Sequence, residues 1–241
     1  MISLSKIVLR LRIFGILSIL ISLMGCVSIN MTTSPIYTPR PTTDYNRWLR
    51  KQPCAAPCWE GITPGVTTYK DAQKLLEQNS SFIKVELHLP DEITWKWAGM
   101  DYGGRVGFDA WAKMPTIQFI SVSLLPKPAK LKDVLTTFGN PSHVGVAVEP
   151  GTDIGSGLAY SMYLYYVPSG FYLILGESGN AIFVKPSISP ESEIENVIFF
   201  APTMKGLKAT NIRANPIPWQ GTFDFDVYCK LQYSNELDNC K

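Results

Sequence analysis

An α+β fold is what this sequence predicts, built from one or two tandem, pseudo-repeated units in which a helix lies on an antiparallel sheet. Three observations carry that prediction. Two short amphipathic helix patterns stand well apart in the chain, a series of strand-like runs follows each, and turn residues separate the runs. With 46% hydrophobic and 12% aromatic residues, the chain can bury one large core or two small ones. Whole-chain disorder is excluded.

In the first helix pattern Thr67 or Thr68 can act as the cap, Ala72, Leu75 and Leu76 fall at i, i+3 and i+4, and Asn79 is a natural stop. Strand-like runs follow at 82–89, 93–97, 105–108 and 117–125, separated by turns that include Pro90-Asp91 and 101–104. The pattern then restarts. Residues 130–138 read as a second short helix closed by Gly139-Asn140-Pro141, and runs follow at 143–148, 158–167, 171–175, 181–184 and 194–200. Lys132-Asp133 stands 62 residues after Lys70-Asp71, Tyr163 and Tyr165 stand 68 after Trp95 and Trp97, and Ala201-Pro202 stands 76 after Leu125-Pro126. A growing offset suits a duplicated unit whose loops lengthened in the second copy. The competing reading is that any two α+β segments can be laid over each other this loosely.

At the start of the chain, residues 1–12 hold Lys6, Arg10 and Arg12 with no acid, and an apolar run fills 13–25. That is a signal peptide's layout, and the run is shorter than the roughly 20 residues that cross a bilayer as a helix. Leu23-Met24-Gly25-Cys26 resembles the lipobox of bacterial lipoproteins. The resemblance implies cleavage before Cys26 by signal peptidase II, diacylglycerol and palmitate-type chains on its thiol, and an exported protein. It would be anchored by lipid to the cell membrane or, where the organism has one, the outer membrane. An ordinary secretory signal or a short amphipathic anchor is the alternative. The expected organisation is a signal peptide at 1–25, a lipidated cysteine and Thr/Pro-rich tether at 26–50, α+β units at 51–126 and 127–203, and a C-terminal extension at 204–241.

Without Lys6, Arg10 and Arg12 the 22 bases become 19 against 20 acids. A near-neutral body lacks the clustered basic face of a nucleic-acid binder, so that class is set aside. Cys54, Cys58, Cys229 and Cys240 form an even set in an oxidising compartment, where disulfides are the default. Three pairings exist. Local pairing of Cys54 with Cys58 and Cys229 with Cys240 is preferred, because each pair would pin a terminal segment, and pairing across the termini is the rival. Three residues separate Cys54 from Cys58, one more than in thioredoxin-like motifs. The two histidines, His88 and His143, have no ligand spacing, so no metal or cofactor is expected.

Gly61-Ile62-Thr63-Pro64-Gly65-Val66-Thr67 and the segment from Leu131 to Pro141 (LKDVLTTFGNP) carry a second resemblance. They are similar to the small α+β lipoprotein module of the BamE/SmpA type, in which a Gly-x-Thr turn opens a helix and a Gly-x-Pro turn leads into antiparallel strands. The first phrase lacks the closing Gly-x-Pro and the second the opening Gly-x-Thr. The resemblance implies an envelope scaffold without catalysis.

A nucleophilic hydrolase needs a base beside its serine or cysteine. His88 and His143 lie within strand-like runs, and no Gly-x-Ser-x-Gly elbow occurs. Asp91 and Glu92 form a carboxylate pair in a turn favoured for solvation. Asp224 and Asp226, if on one face of a strand, could touch calcium but lack the other oxygen ligands. The glycine-rich 151–157 sits between two strands and reads as a hairpin loop. No catalytic residues are therefore assigned. Trp95 with Trp97, and Tyr163 with Tyr165, each share a strand face and are expected to cover the helix side of the sheet. Trp111, Tyr166 and Tyr172 are the candidates for an exposed binding patch. The expected role is a non-catalytic binding or envelope-assembly module whose partners are the membrane, through lipid, and an envelope protein or glycan. A cell-envelope hydrolase acting on glycan or peptide is the alternative.

Overall fold

In the computed structural model, Thr68 caps the first helix, α1 (Tyr69–Gln78). Its hydroxyl accepts from the Asp71 amide at 3.2 Å and donates to the Asp71 carboxylate at 2.7 Å. Ala72 and Leu76 are buried, whereas Leu75 sits at the rim. The second helix, α2 (Leu131–Phe138), buries Leu131 and Val134 and ends at Gly139, whose φ of +74° is conformational space that glycine enters without strain. The structure describes residues 44, 46–88, 90–109, 115–125, 127–150, 158–175, 186–233 and 240, all within one compact unit spanning Thr43–Lys241. Cys26, Trp111 and the segments 151–157 and 181–184 lie outside the described residues.

The protein is α+β. Strands β1 (Phe82–His88), β2 (Glu92–Trp97), β3 (Gly103–Phe108) and β4 (Ile117–Ser123) follow α1 as a meander. The short β5 (Ala129–Lys130) precedes α2, and β6 (His143–Pro150), β7 (Leu158–Tyr166), β8 (Phe171–Leu175), β9 (Glu193–Ile194) and β10 (Asn196–Phe200) follow it. The chain closes with α3 (Met204–Lys208), β11 (Ile217–Pro218) and α4 (Phe225–Gln232). Nine strands form one antiparallel sheet in the order β1-β2-β3-β4-β10-β8-β7-β6-β11, and β5 pairs with β9 separately. The last strands of the two meanders, β4 and β10, lie side by side with Ser121 opposite Ile198. The stretches 51–126 and 127–203 thus supply a helix and four strands each to a single sheet.

Alternation along the strands divides the sheet into two faces. Ile120 and Val122 of β4 and Val197 and Phe199 of β10 point to the side covered by α1, α2 and α4, in one core that runs through both halves. α4 is helix, not strand. Asp224 caps it by accepting from the Asp226 amide at 2.9 Å, so Asp224 and Asp226 occupy a helix start and do not share a strand face. At the other end of α4 the Gln232 side-chain amide bonds both the N–H and the C=O of Val146, at 3.2 and 2.5 Å, standing in for a strand at the edge of β6.

Residues 46–50, expected to belong to the tether, are part of the folded unit. Trp48 is 2% exposed, packed against Phe171, Phe199 and Phe138 at ring-centroid separations of 5.4, 5.8 and 5.9 Å. Trp59, eleven residues on, stacks on Trp95 at 5.1 Å and on Phe82 at 5.6 Å. The segment between them therefore straps the two halves together, one tryptophan in each. An Arg47–Glu60 ion pair and the Cys54–Cys58 pair stiffen it. Cys229 pairs with Cys240, with Cα atoms 5.8 Å apart against 5.6 Å for Cys54 and Cys58. Both cysteine pairs are local.

The two stretches share an element order, a helix followed by four strands of the sheet, and differ in register. Lys70-Asp71 and Lys132-Asp133 occupy the same places at the starts of α1 and α2, and Leu125 and Ala201 follow β4 and β10. Trp95 and Trp97, however, face the helices, whereas Tyr163 and Tyr165 face the opposite side. Met162, Leu164 and Tyr166 take the helix side of β7. A one-residue change of parity sends a whole row of side chains to the other face, so the expectation that Tyr163 and Tyr165 cover the same helix-facing side as Trp95 and Trp97 is corrected: they lie on the opposite face, beside Leu207 of α3.

Trp48→Ala should cost about 3–5 kcal/mol, as large-to-small core changes do, and lower the thermal midpoint by on the order of 10 °C for a domain of this size. Val66→Ala, at a side chain 72% exposed, should leave the midpoint within a degree or two, and differential scanning calorimetry of both variants checks the contrast.

Candidate functional site

The sheet face turned away from α1, α2 and α4 is only partly covered. Over β6, β7 and the near part of β10, α3 and the segment 209–214 pack Leu207 and Ala214 against Tyr163, Tyr165 and Phe200. The Tyr165 hydroxyl donates to the Ala214 carbonyl at 2.9 Å, tying that segment to the sheet. Burial, together with the neighbouring Tyr172 and Tyr163 phenols, pushes the Tyr165 phenol far above the ordinary tyrosine value, and burial alone does the same for Tyr166.

The cover stops before β3 and β4 and leaves a groove along its border. Arg105, Phe119, Thr210, Asn211 and Arg213 run its length. An inner recess of about 210 Å³ lies across the β4–β10 seam, with Ser121, Asn196, Ile198 and Tyr172 in its lining. An outer part of about 560 Å³ extends to Asp91, Glu92, Asp109 and Gln118. The Phe119 ring lies directly over Gly107, its cross-strand partner; a Cβ at Gly107 would sit 2.2 Å from the ring. On the ring rests the Arg105 guanidinium, 5.6 Å from the centroid.

Each arginine of the groove has one ion pair at its margin. Arg105 Nη1 reaches Glu92 at 3.2 Å and Arg213 Nη1 reaches Glu149 at 2.9 Å. A guanidinium carries five N–H donors, so most of the donor capacity of both stays open to the groove. The side-chain amides of Gln118, Asn196 and Asn211 make no hydrogen bond among the described residues. Asn211 also holds a left-handed backbone, φ +53°, a conformation that asparagine tolerates better than most residues. Chemically the groove offers two cations bordering both parts, amide groups along its length and carboxylates at the outer end alone. Such a surface binds polar, hydroxyl-rich or anionic groups.

The aromatic patch expected from the sequence does not form. Tyr166 is 3% exposed, stacked on Phe171 at 4.6 Å with its hydroxyl donating to the Gly139 carbonyl at 3.2 Å, and Tyr172 is 6% exposed. Both are buried because β7 and β8 are interior strands with both faces covered; Tyr172 alone reaches the groove, at its floor. Trp111, the third candidate, lies outside the described residues, as does the lipidation candidate Cys26. Trp95 and Trp97 are buried beneath Trp59.

The histidines stand apart from the groove. His88 is exposed on β1, with Nε2 2.9 Å from the Thr94 hydroxyl. His143 Nδ1 lies 3.1 Å from Ser142 Oγ, but that hydroxyl donates to the Tyr165 carbonyl at 2.9 Å and accepts from the Val167 amide at 3.1 Å. With the serine proton committed to a carbonyl, His143 must donate to the serine. That is the reverse of a nucleophile and its base. Asp91 and Glu92 do reach the groove, joined there by Asp109, and Glu92 is held by Arg105. Among the described residues no three His, Cys, Asp or Glu side chains are placed to hold a metal ion, and no helix is long and apolar enough to cross a membrane.

The sequence reading missed Arg105, Arg213, Asn196 and Asn211. Only Arg105 left a trace, as the one charged and exposed position of a glycine-rich strand; Arg213 arrives from a loop 108 residues later. No protein family, curated protein or solved structure matches the chain.

Because the folded state holds the Tyr165 and Tyr166 protons where the unfolded chain releases them near the ordinary value of 10.0, stability is full below that pH and falls as pH rises above it. Spectrophotometric titration at 295 nm should find these phenols silent while exposed tyrosines ionise, with the unfolding midpoint declining above pH 10. Tyr165→Phe, which leaves the Ala214 carbonyl without its buried donor, should cost about 1–3 kcal/mol, measured by urea denaturation.

Proposed function

We infer that the chain is an exported lipoprotein, held to a membrane through acyl chains on Cys26, whose folded unit is a non-catalytic binding or envelope-assembly module. The groove on the open sheet face carries this reading. It gathers two arginines and three side-chain amides that make no hydrogen bond among the described residues in a concave site, while His88 and the Ser142–His143 pair lie outside it. The Lys/Arg-rich start, the short apolar run and Cys26 support the address. Two or three acyl chains, each contributing about 0.8 kcal/mol per buried methylene, hold a protein firmly where one chain holds it marginally. The envelope is also the compartment in which the two local cysteine pairs persist as disulfides.

A cell-envelope hydrolase is the second reading, favoured by one observation: Asp91, Glu92 and Asp109 share the outer end of the groove, and paired carboxylates are the equipment of glycosidases. Incubation with envelope glycans and peptides decides between the two. The binding module releases no reducing ends or free amines, whereas release abolished by Asp91→Asn or Asp109→Asn would establish the enzyme.

The address is tested in cells fed radiolabelled palmitate. The wild-type chain should take up label and sediment with membranes, and Cys26→Ala should lose both properties; a Cys26→Ala chain still firmly in the membrane fraction would contradict the lipid anchor.

A further inference from the structure

We propose that the groove binds an acidic polysaccharide, seating the anionic group of a sugar between Arg105 and Arg213 at the inner recess and sugar hydroxyls along the outer part. The proposal rests on the binding-module reading and names its ligand. Five features of the groove lead to it.

First, charge is divided along its length. Arg105 and Arg213 are the only charged residues lining the inner recess among the described residues, and all three groove carboxylates belong to the outer part. The two arginines border the outer part as well, but only the inner recess lacks a carboxylate, so an anion is best placed there. Second, the cations are preorganised. Arg105 lies on the Phe119 ring and pairs with Glu92, and Arg213 pairs with Glu149, so each guanidinium has a neighbour that biases its position before binding. A guanidinium so placed offers the planar fork of donors that suits a carboxylate or sulfate.

Third, the neutral lining matches hydroxyls. Asn196, Asn211 and Gln118 each present both a donor and an acceptor with no side-chain hydrogen bond among the described residues. Such groups suit ligands whose hydroxyls also both donate and accept. Fourth, the carboxylates at the outer end repel any chain charged at every unit, as a nucleic-acid backbone is, so the acidic sugar in the recess is one flanked by neutral sugars. Fifth, the sheet edges discourage the usual alternative, a peptide added as an extra strand. β1 is broken by Lys84 at φ +51°, where its pairing with β2 shifts register, and β11 is two residues long and ends at Pro218.

Affinity electrophoresis and calorimetry of the full-length chain in detergent, with hyaluronan oligosaccharides (one carboxylate per disaccharide), κ-carrageenan oligosaccharides (one sulfate per disaccharide) and neutral dextran as probes, test the assignment. Binding to the hyaluronan or the κ-carrageenan oligosaccharide, weakening as salt rises and weakened at least tenfold in Arg213→Gln and in Arg105→Gln, is the expected result; the better of the two probes identifies the anionic group. Both arginines are surface-exposed and their ion pairs contribute little to stability, so the variants should keep the wild-type thermal midpoint. Asn196→Ala provides a further variant that leaves charge unchanged and should weaken binding severalfold. No binding of either charged probe, equal binding of neutral dextran, or binding indifferent to Arg213→Gln overturns the proposal. A photo-cross-linker at position 118 separates this failure from failure of the broader reading: a single envelope protein captured there overturns the glycan and leaves the binding module standing.

Discussion

The pairing of β4 with β10 is the constraint on which the rest of the structure depends. Each meander ends in a strand with one unpaired edge, and a row of exposed N–H and C=O groups is a template for aggregation. Running antiparallel from Asn196 opposite Ser123 to Phe200 opposite Phe119, the two last strands satisfy each other. They also merge two half-cores into one. Ile120 and Val122 meet Val197 and Phe199 on the helix side of the seam, so no four-stranded half is left with an apolar flank. On the far side the same pairing brings Phe119 and Ser121 next to Asn196 and Ile198, which is the floor of the groove.

The strap from Trp48 to Trp59 reinforces the seam from above. A buried tryptophan in each half means that separating the halves would expose two large rings as well as two strand edges, and aromatic burial dominates the energetics of such packing. At the outer margins of the sheet the devices are different. The broken register of β1, the short Pro-ended β11 and the Gln232 side chain bonded to Val146 each deny an incoming strand a clean edge. The sheet closes inward and is blunted outward.

Much of this was legible in the residues, for local reasons. Helix α1 announces itself through Thr68, the i, i+3, i+4 spacing of Ala72, Leu75 and Leu76, and Asn79; α2 does so through its periodicity and Gly139. The strands follow from alternation and turn residues. Long-range facts were not legible. Trp48 reads as part of a Pro/Thr-rich spacer because its partners, Phe138, Phe171 and Phe199, come from α2, β8 and β10. Tyr163 and Tyr165 alternate as clearly as Trp95 and Trp97, but alternation fixes only that two residues share a face and leaves open which face the helices cover. In Asp224-Phe225-Asp226 a spacing of two suggests a strand, and the capping bond from Asp226 to Asp224 makes it a helix start. The groove assembles side chains from β3, β4, β8, β10 and a loop, so no contiguous motif encodes it.

Native-state hydrogen exchange in increasing denaturant tests the central role of the seam most directly. If β4 and β10 bind the two meanders into one cooperative unit, the slowest amides of β2 and β3 and those of β7 and β8 should merge into a single opening whose free energy equals that of global unfolding, together with the amides of β4 and β10 themselves. Two separate openings, with one meander exchanging while the other stays protected and the β4–β10 amides following the weaker half, would contradict the account.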